Sequence, residues 1–166
     1  MHLWRLRLRL GNRGTRQARR RQELSALAEI LEEKGHDVLK VEADATVLEA
    51  VKRMVEANVG ALLVTEEGEI AGIVTERDYL RRAALAERAD DETPVRDIMT
   101  SPLVVASPDT PIDECMALMT ERRIRHVPVV YDGDVVGLVS IGDLVKFKSR
   151  QQSFEIRYLT EFITAR

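Results

Sequence analysis

The stretch Gly72-Ile73-Val74-Thr75-Glu76-Arg77-Asp78 returns 65 positions later as Gly137-Leu138-Val139-Ser140-Ile141-Gly142-Asp143. Both read glycine, aliphatic, valine, hydroxyl, two variable residues, aspartate. The same offset aligns Asp44 with Asp109, Glu49 with Glu114, Met54 with Met119, Glu56 with Glu121, Val64 with Val129 and Gly68 with Gly133. No gap is needed between positions 44 and 80, so the body of the chain reads as one unit written twice.

Each copy can be read locally. Val47, Ala50, Val51, Met54 and Val55 fall on one helical face, and Ile112, Cys115, Met116 and Met119 repeat the pattern. A short apolar run follows, Ala61–Thr65 or Val127–Tyr131. Glu67-Gly68 or Asp132-Gly133 then signals a tight turn. A second β-rich run comes next, Ile70–Val74 or Val135–Val139, and the pair reads as a hairpin. Thr75 and Ser140 open a further helix. With first strands near Val38–Val41 and Leu103–Val105, the unit is β-α-β-β-α and the fold class is α/β (α+β). One unit of roughly 50 residues buries too little surface to be stable alone, so two should share a core. Residues 83–97 read as the connector. A helix marked by Leu24, Leu27, Ala28 and Leu31 precedes the pair, and one marked by Phe154, Tyr158, Leu159 and Phe162 follows it. The expected organisation is an arm over 1–22, a first repeat with its leading helix over 23–88, a second repeat over 89–148 and a C-terminal helix over 149–166.

Composition removes several classes of function. The 166 residues are 45% apolar and 32% charged, a globular balance that excludes wholesale disorder. Three Phe, three Tyr and one Trp are too few for a surface that stacks single-stranded bases. The single cysteine, Cys115, excludes an internal disulfide and a thiol-cluster metal site, and its place on the apolar helical stripe marks it as core. His2, His36 and His126 show no ligand spacing, so no metal is expected. No apolar run approaches the ~20 residues of a membrane span. Residues 1–22 hold eight arginines and no acid, which leaves −11 on the rest of a chain of formal charge −3. Such an arm can be a solvated leader, a nucleic-acid contact or an organellar transit peptide. A cytoplasmic protein is the expectation, with an organelle as the alternative.

The chemistry of the repeated stretch is that of a strand ending and a helix beginning at a hydroxyl residue. Free backbone N–H groups and the positive end of the helix dipole favour a phosphate there. Thr75 or Ser140 adds a hydroxyl. Asp78 or Asp143, one turn on, offers two acceptor oxygens to a ribose diol. The glycine leaves room for a bulky group to approach the strand. Ser/Thr-x-x-Asp is equally a capping box, which stabilises a helix start by about 1 kcal/mol and needs no ligand.

The duplicated pattern resembles a tandem pair of cystathionine-β-synthase-type (CBS) domains, a Bateman module. Val95-Arg96-Asp97-Ile98-Met99-Thr100-Ser101-Pro102 resembles the family's lead into a repeat, and Arg123-Ile124-Arg125-His126-Val127-Pro128-Val129-Val130 its helix-to-strand passage. The resemblance covers about residues 30–148. It implies two CBS repeats packed with pseudo-twofold symmetry between flanking helices, with two clefts that take adenosine compounds: AMP, ADP, ATP, NAD or S-adenosylmethionine, with Mg only as a companion of ATP. It also implies that Asp143 and Asp78 hold ribose hydroxyls and that Ser140 and Thr75 lie near phosphates. Thr100 and Met99 would border the adenine beside the second motif, joined by His126, Val127 and Pro128, with Arg125 as a phosphate cation. The other cleft would use Asn58, Gly60, Ala61 and Leu62, supplemented by Arg77. Glu33-Lys34-Gly35-His36-Asp37 replaces Thr100-Ser101-Pro102 ahead of the first repeat, so the clefts should be unequal. The function implied is a non-enzymatic sensor, a homodimer that reports ligand state to an effector protein. The alternatives are a nucleic-acid-binding regulator using the arginine arm, a nucleotide hydrolase, and a structural dimer with empty clefts.

Overall fold

A computed structural model describes residues 26–82 and 89–164, with the side chains of Arg82 and residues 158–164 left out of the description. The arginine arm, Leu24, and the side chains of Tyr158, Leu159 and Phe162 lie outside the described residues.

Thr46 begins the first repeat's helix with a reciprocal cap: its hydroxyl accepts from the Glu49 N–H, and Glu49 reaches back to the Thr46 N–H. The helix, α2 (Val47–Ala57), lies between β1 (Lys40–Glu42) and β2 (Ala61–Glu66). These strands pair in parallel, with Val41 opposite Val64. β2 then turns into β3 (Glu69–Thr75) through Glu67 and Gly68 at φ of 53° and 84°, the double positive-φ geometry of a two-residue hairpin turn. α3 (Glu76–Arg82) closes the unit.

The second repeat follows the same course. α4 (Ile112–Arg122) leads to the hairpin β4 (His126–Tyr131) and β5 (Asp134–Ser140), whose turn residues Asp132 and Gly133 have φ of 51° and 93°. The counterpart of β1 shrinks to one parallel bridge, Ala106 to Val129, just beyond the expected Leu103–Val105 strand. Both hairpins shift register at the same point, between Val64 and Thr65 and between Val129 and Val130. Ala61, Leu63 and Ile73 of the first sheet meet Val135 and Leu138 of the second, together with Leu103, in a central apolar seam.

The leading segments cross over. α1 (Leu27–Lys34) precedes the first repeat but buries Leu27, Ile30 and Leu31 among Cys115, Met119, Val127, Val139 and Leu144 of the second. The 3₁₀ turn Val95–Asp97 precedes the second repeat, yet Val95 and Ile98 lie among Val47, Ala50, Met54 and Leu62 of the first. Val95 and Ile98 are therefore core, although the expected connector ran to residue 97; its residues 83–88 lie outside the described residues. The helix that follows β5, α5 (Ile141–Thr164), continues through residues 148 and 149 without a break, so no separate C-terminal helix begins there. The stripe on α2 is also narrower than its periodicity suggests, because Val55 is 74% exposed.

Candidate functional site

The two strand-to-helix junctions are built alike. Asp78 Oδ2 accepts from the Thr75 N–H at 3.0 Å and from its hydroxyl at 2.7 Å, while the Asp78 N–H donates to Thr75 Oγ1 at 3.2 Å. Asp143 Oδ2 accepts from the Ser140 N–H and hydroxyl, both at 2.8 Å, and the Asp143 N–H donates back at 3.2 Å. Both motifs thus act as helix caps, worth about 1 kcal/mol each. Neither carboxylate is sealed in the cap. Asp78 and Asp143 are both half-buried, and each takes one more donor from a leading segment. Thr100 Oγ1 donates to Asp78 Oδ1 at 3.0 Å, and Lys34 Nζ donates to Asp143 Oδ2 at 2.6 Å.

This pairing corrects the expected membership of the clefts. Thr100 and Met99 stand at the first motif and not the second: Thr100 exchanges two backbone hydrogen bonds with Ile73 of β3, and the flank of Gly72 is filled by Met99 Sδ and the Thr100 carbonyl. Lys34-Gly35-His36 stands at the second motif and not the first. Lys34 Nζ also donates to the Leu138 carbonyl at 3.0 Å, and the His36 Nδ1–H donates to the Val136 carbonyl at 2.8 Å. The physical reason is the exchange of leading segments between cores, which a constant repeat offset does not reveal. The glycines therefore admit the chain's own residues, Met99 at Gly72 and Leu31 at Gly137, and not a ligand.

His126 faces Ser140 across the β4–β5 ladder, where the first repeat has Ala61 facing Thr75. It also borders Gly60, where an added Cβ would lie 3.4 Å from the imidazole and 3.4 Å from Glu76 Oε2. Burial pushes the imidazole below its ordinary pKa, Lys34 and Arg125 add to this, and Asp143 and Glu76 oppose it. For Asp143, burial raises the carboxyl, but the Lys34 ammonium and the Ser140 N–H and hydroxyl outweigh it, so the group ends below its ordinary value.

The other expected residues divide. Leu62 and Val127 are fully buried in the first and second cores, so their side chains do not line a cleft. Ala61 belongs to the central seam, and Pro128 is buried opposite Leu138. Asn58 and Arg123 end α2 and α4 with φ of 52° and 54°. Arg77 donates one guanidinium N–H to the Arg123 carbonyl at 2.8 Å, tying α3 to the end of α4. Arg125 is exposed. Lys34 and His36 also stand at the second motif, and the expected roles omitted them. The signal was present, as Lys34-Gly35-His36 breaks the pattern of Thr100-Ser101-Pro102. Cys115 is buried, and burial pushes its thiol up to about 11. Among the described residues no group of three or more His, Cys, Asp or Glu could hold a metal, and no helix is long and apolar enough to cross a membrane.

The profile of the CBS domain family matches residues 26–85 and 95–150, the two repeats with their leading segments. The chain belongs to the CBS-domain family. It is 40% identical over 150 residues to the mitochondrial CBS domain-containing protein CBSX3 of Arabidopsis thaliana, covering 85% of this chain and 73% of that one. A protein with CBS domains from Burkholderia ambifaria superposes with a TM-score of 0.72 at 48% identity, over 74% of this chain and 92% of the other. The CBS domain pair of protein MJ0100, solved with 5-methylthioadenosine and S-adenosyl-L-methionine, superposes at 0.67 with 25% identity, over 77% and 98%. The chain is thus a tandem CBS pair, a regulatory module, and no catalytic family is indicated.

Proposed function

We propose that this CBS pair is a sensor of adenosine compounds, with Asp78 and Asp143 holding ribose hydroxyls in two clefts. The observation that carries the reading is the placement of these two carboxylates. Each is half-buried at a strand-to-helix junction, already oriented by its cap, and reached by one donor from a leading segment. A carboxylate held this way accepts a diol with little reordering. The MJ0100 pair, with two adenosine compounds bound, supports the ligand class. AMP, ADP, ATP, NAD and S-adenosylmethionine all carry the required diol.

A ligand bound between the repeats can shift their relative orientation only by as much as it binds one arrangement better than another. The readout is a second protein. Leu80 and Val145, equivalent positions on α3 and α5, are 69% and 50% exposed and fit a homodimer contact. The reading is tested by thermal unfolding of the full chain with each compound. A ligand at about 100 times its Kd adds about 2.7 kcal/mol and raises Tm. If none of the compounds raises Tm, the clefts are empty and the module is structural.

A further inference from the structure

The two carboxylates are equivalent by sequence, but their third donors are not. Asp78 receives a neutral hydroxyl from Thr100, whereas Asp143 receives the ammonium of Lys34. From this difference we infer that Lys34 makes the second cleft selective for adenosine compounds that carry a phosphate over those that do not. The inference rests on the proposed role of Asp143 in holding a ribose.

The geometry leaves both groups usable at once. The donors from Ser140 and Lys34 converge on Asp143 Oδ2, which leaves the face of Oδ1 to a diol. Lys34 spends one N–H on Asp143 and one on the Leu138 carbonyl, and an ammonium has three. The third is available to a phosphate oxygen next to the carboxylate. His126 lies close enough to feel the charges of Lys34, Asp143, Glu76 and Arg125 together. Asp143 and Glu76 are the opposing anions. Lys34 neutralises the first, so a phosphate beside Asp143 meets a carboxylate already paired with a cation. Among the described residues no cation pairs with Asp78: its partners are two hydroxyls and a backbone N–H, while the Arg77 guanidinium reaches the Arg123 carbonyl instead.

The test uses the full chain carrying Asp78→Ala, so that binding reports the second cleft, and compares AMP with adenosine by calorimetry. AMP should bind about tenfold more tightly, the size of one charge-assisted hydrogen bond. Adding Lys34→Met should bring the ratio close to one, and Lys34→Arg should keep it. Raising the salt should shrink the ratio in the protein that retains Lys34 and leave it flat in the Lys34→Met variant. The salt test also works in the Lys34 protein alone, should Lys34→Met fail to fold. A ratio unmoved by Lys34→Met, or insensitive to salt in the Lys34 protein, overturns the inference while leaving the adenosine site standing. Absence of binding by both compounds overturns the site itself and the inference with it.

Discussion

Leu31 packs against Gly137 so closely that a Cβ built on the glycine would stand 2.5 Å from Leu31 Cδ2. Leu31 belongs to the helix ahead of the first repeat and Gly137 to a strand of the second, so this contact locks the crossed leading segment in place. Gly137→Ala should cost about 1–3 kcal/mol by overpacking. Leu31→Ala combined with it should recover part of that loss. Urea unfolding of the two single variants and the double variant measures the coupling, and strict additivity would place the two residues apart.

The same crossing makes each repeat dependent on residues outside its own boundaries. Leu27 and Val95 are both fully buried, each in the core of the other repeat. Leu27→Ala should cost about 2–5 kcal/mol. Amide exchange should show the loss of protection in β4 and β5 before it reaches β2 and β3. A chain ending at residue 88 lacks Val95 and Ile98 and should not unfold cooperatively. A sharp transition from that shortened chain would contradict the crossed arrangement.

Acid should act on the second cleft through Asp143 and His126, in separate windows. The Asp143 carboxyl is held below its ordinary value of 3.8 when folded. Its ion pair with Lys34 therefore contributes stability above the unfolded-state value, and that contribution is lost as pH falls through the folded one. The stability gap between the parent and Asp143→Asn should narrow below about pH 3.9. His126 is held below 6.5, so the unfolded chain takes its proton first. Stability should fall as pH drops from 6.5 towards the folded value, and His126→Gln should flatten that part of the curve. NMR titration of the imidazole reads the value directly; a midpoint above 6.5 would refute the account of its surroundings.

Cys115 sits among Leu27, Ile112 and Val139 with its thiol raised to about 11. Only the thiolate attacks disulfide reagents. At about pH 8, well below that value, the native protein should react with Ellman's reagent only as fast as it opens, and the urea-unfolded chain should react at once. Rapid labelling of the native state would place the thiol at the surface.

Much of this architecture is legible in the sequence because duplication repeats its constraints. Glu67-Gly68 and Asp132-Gly133 mark the hairpins, since turns with two positive φ angles demand such residues, and the capping pairs Thr75–Asp78 and Ser140–Asp143 can be read directly. What stayed hidden depends on the packing of distant segments. Nothing in a constant offset shows that Thr100 turns to Asp78 while Lys34 reaches Asp143, because both arrangements preserve every local pattern. Leu62 and Val127 look like cleft residues by position, and only the core shows where their side chains go. Val55 fits the helical stripe, yet among the described residues its side of α2 stays uncovered.

The most direct measurement is a calorimetric titration of the full chain with AMP, giving the number of sites per chain for the parent, Asp78→Ala and Asp143→Ala. The account predicts that each substitution removes the site of its own cleft and leaves the other intact, with both proteins still folded. Full stoichiometry and unchanged affinity in both variants would mean that these carboxylates cap helices and hold no ligand.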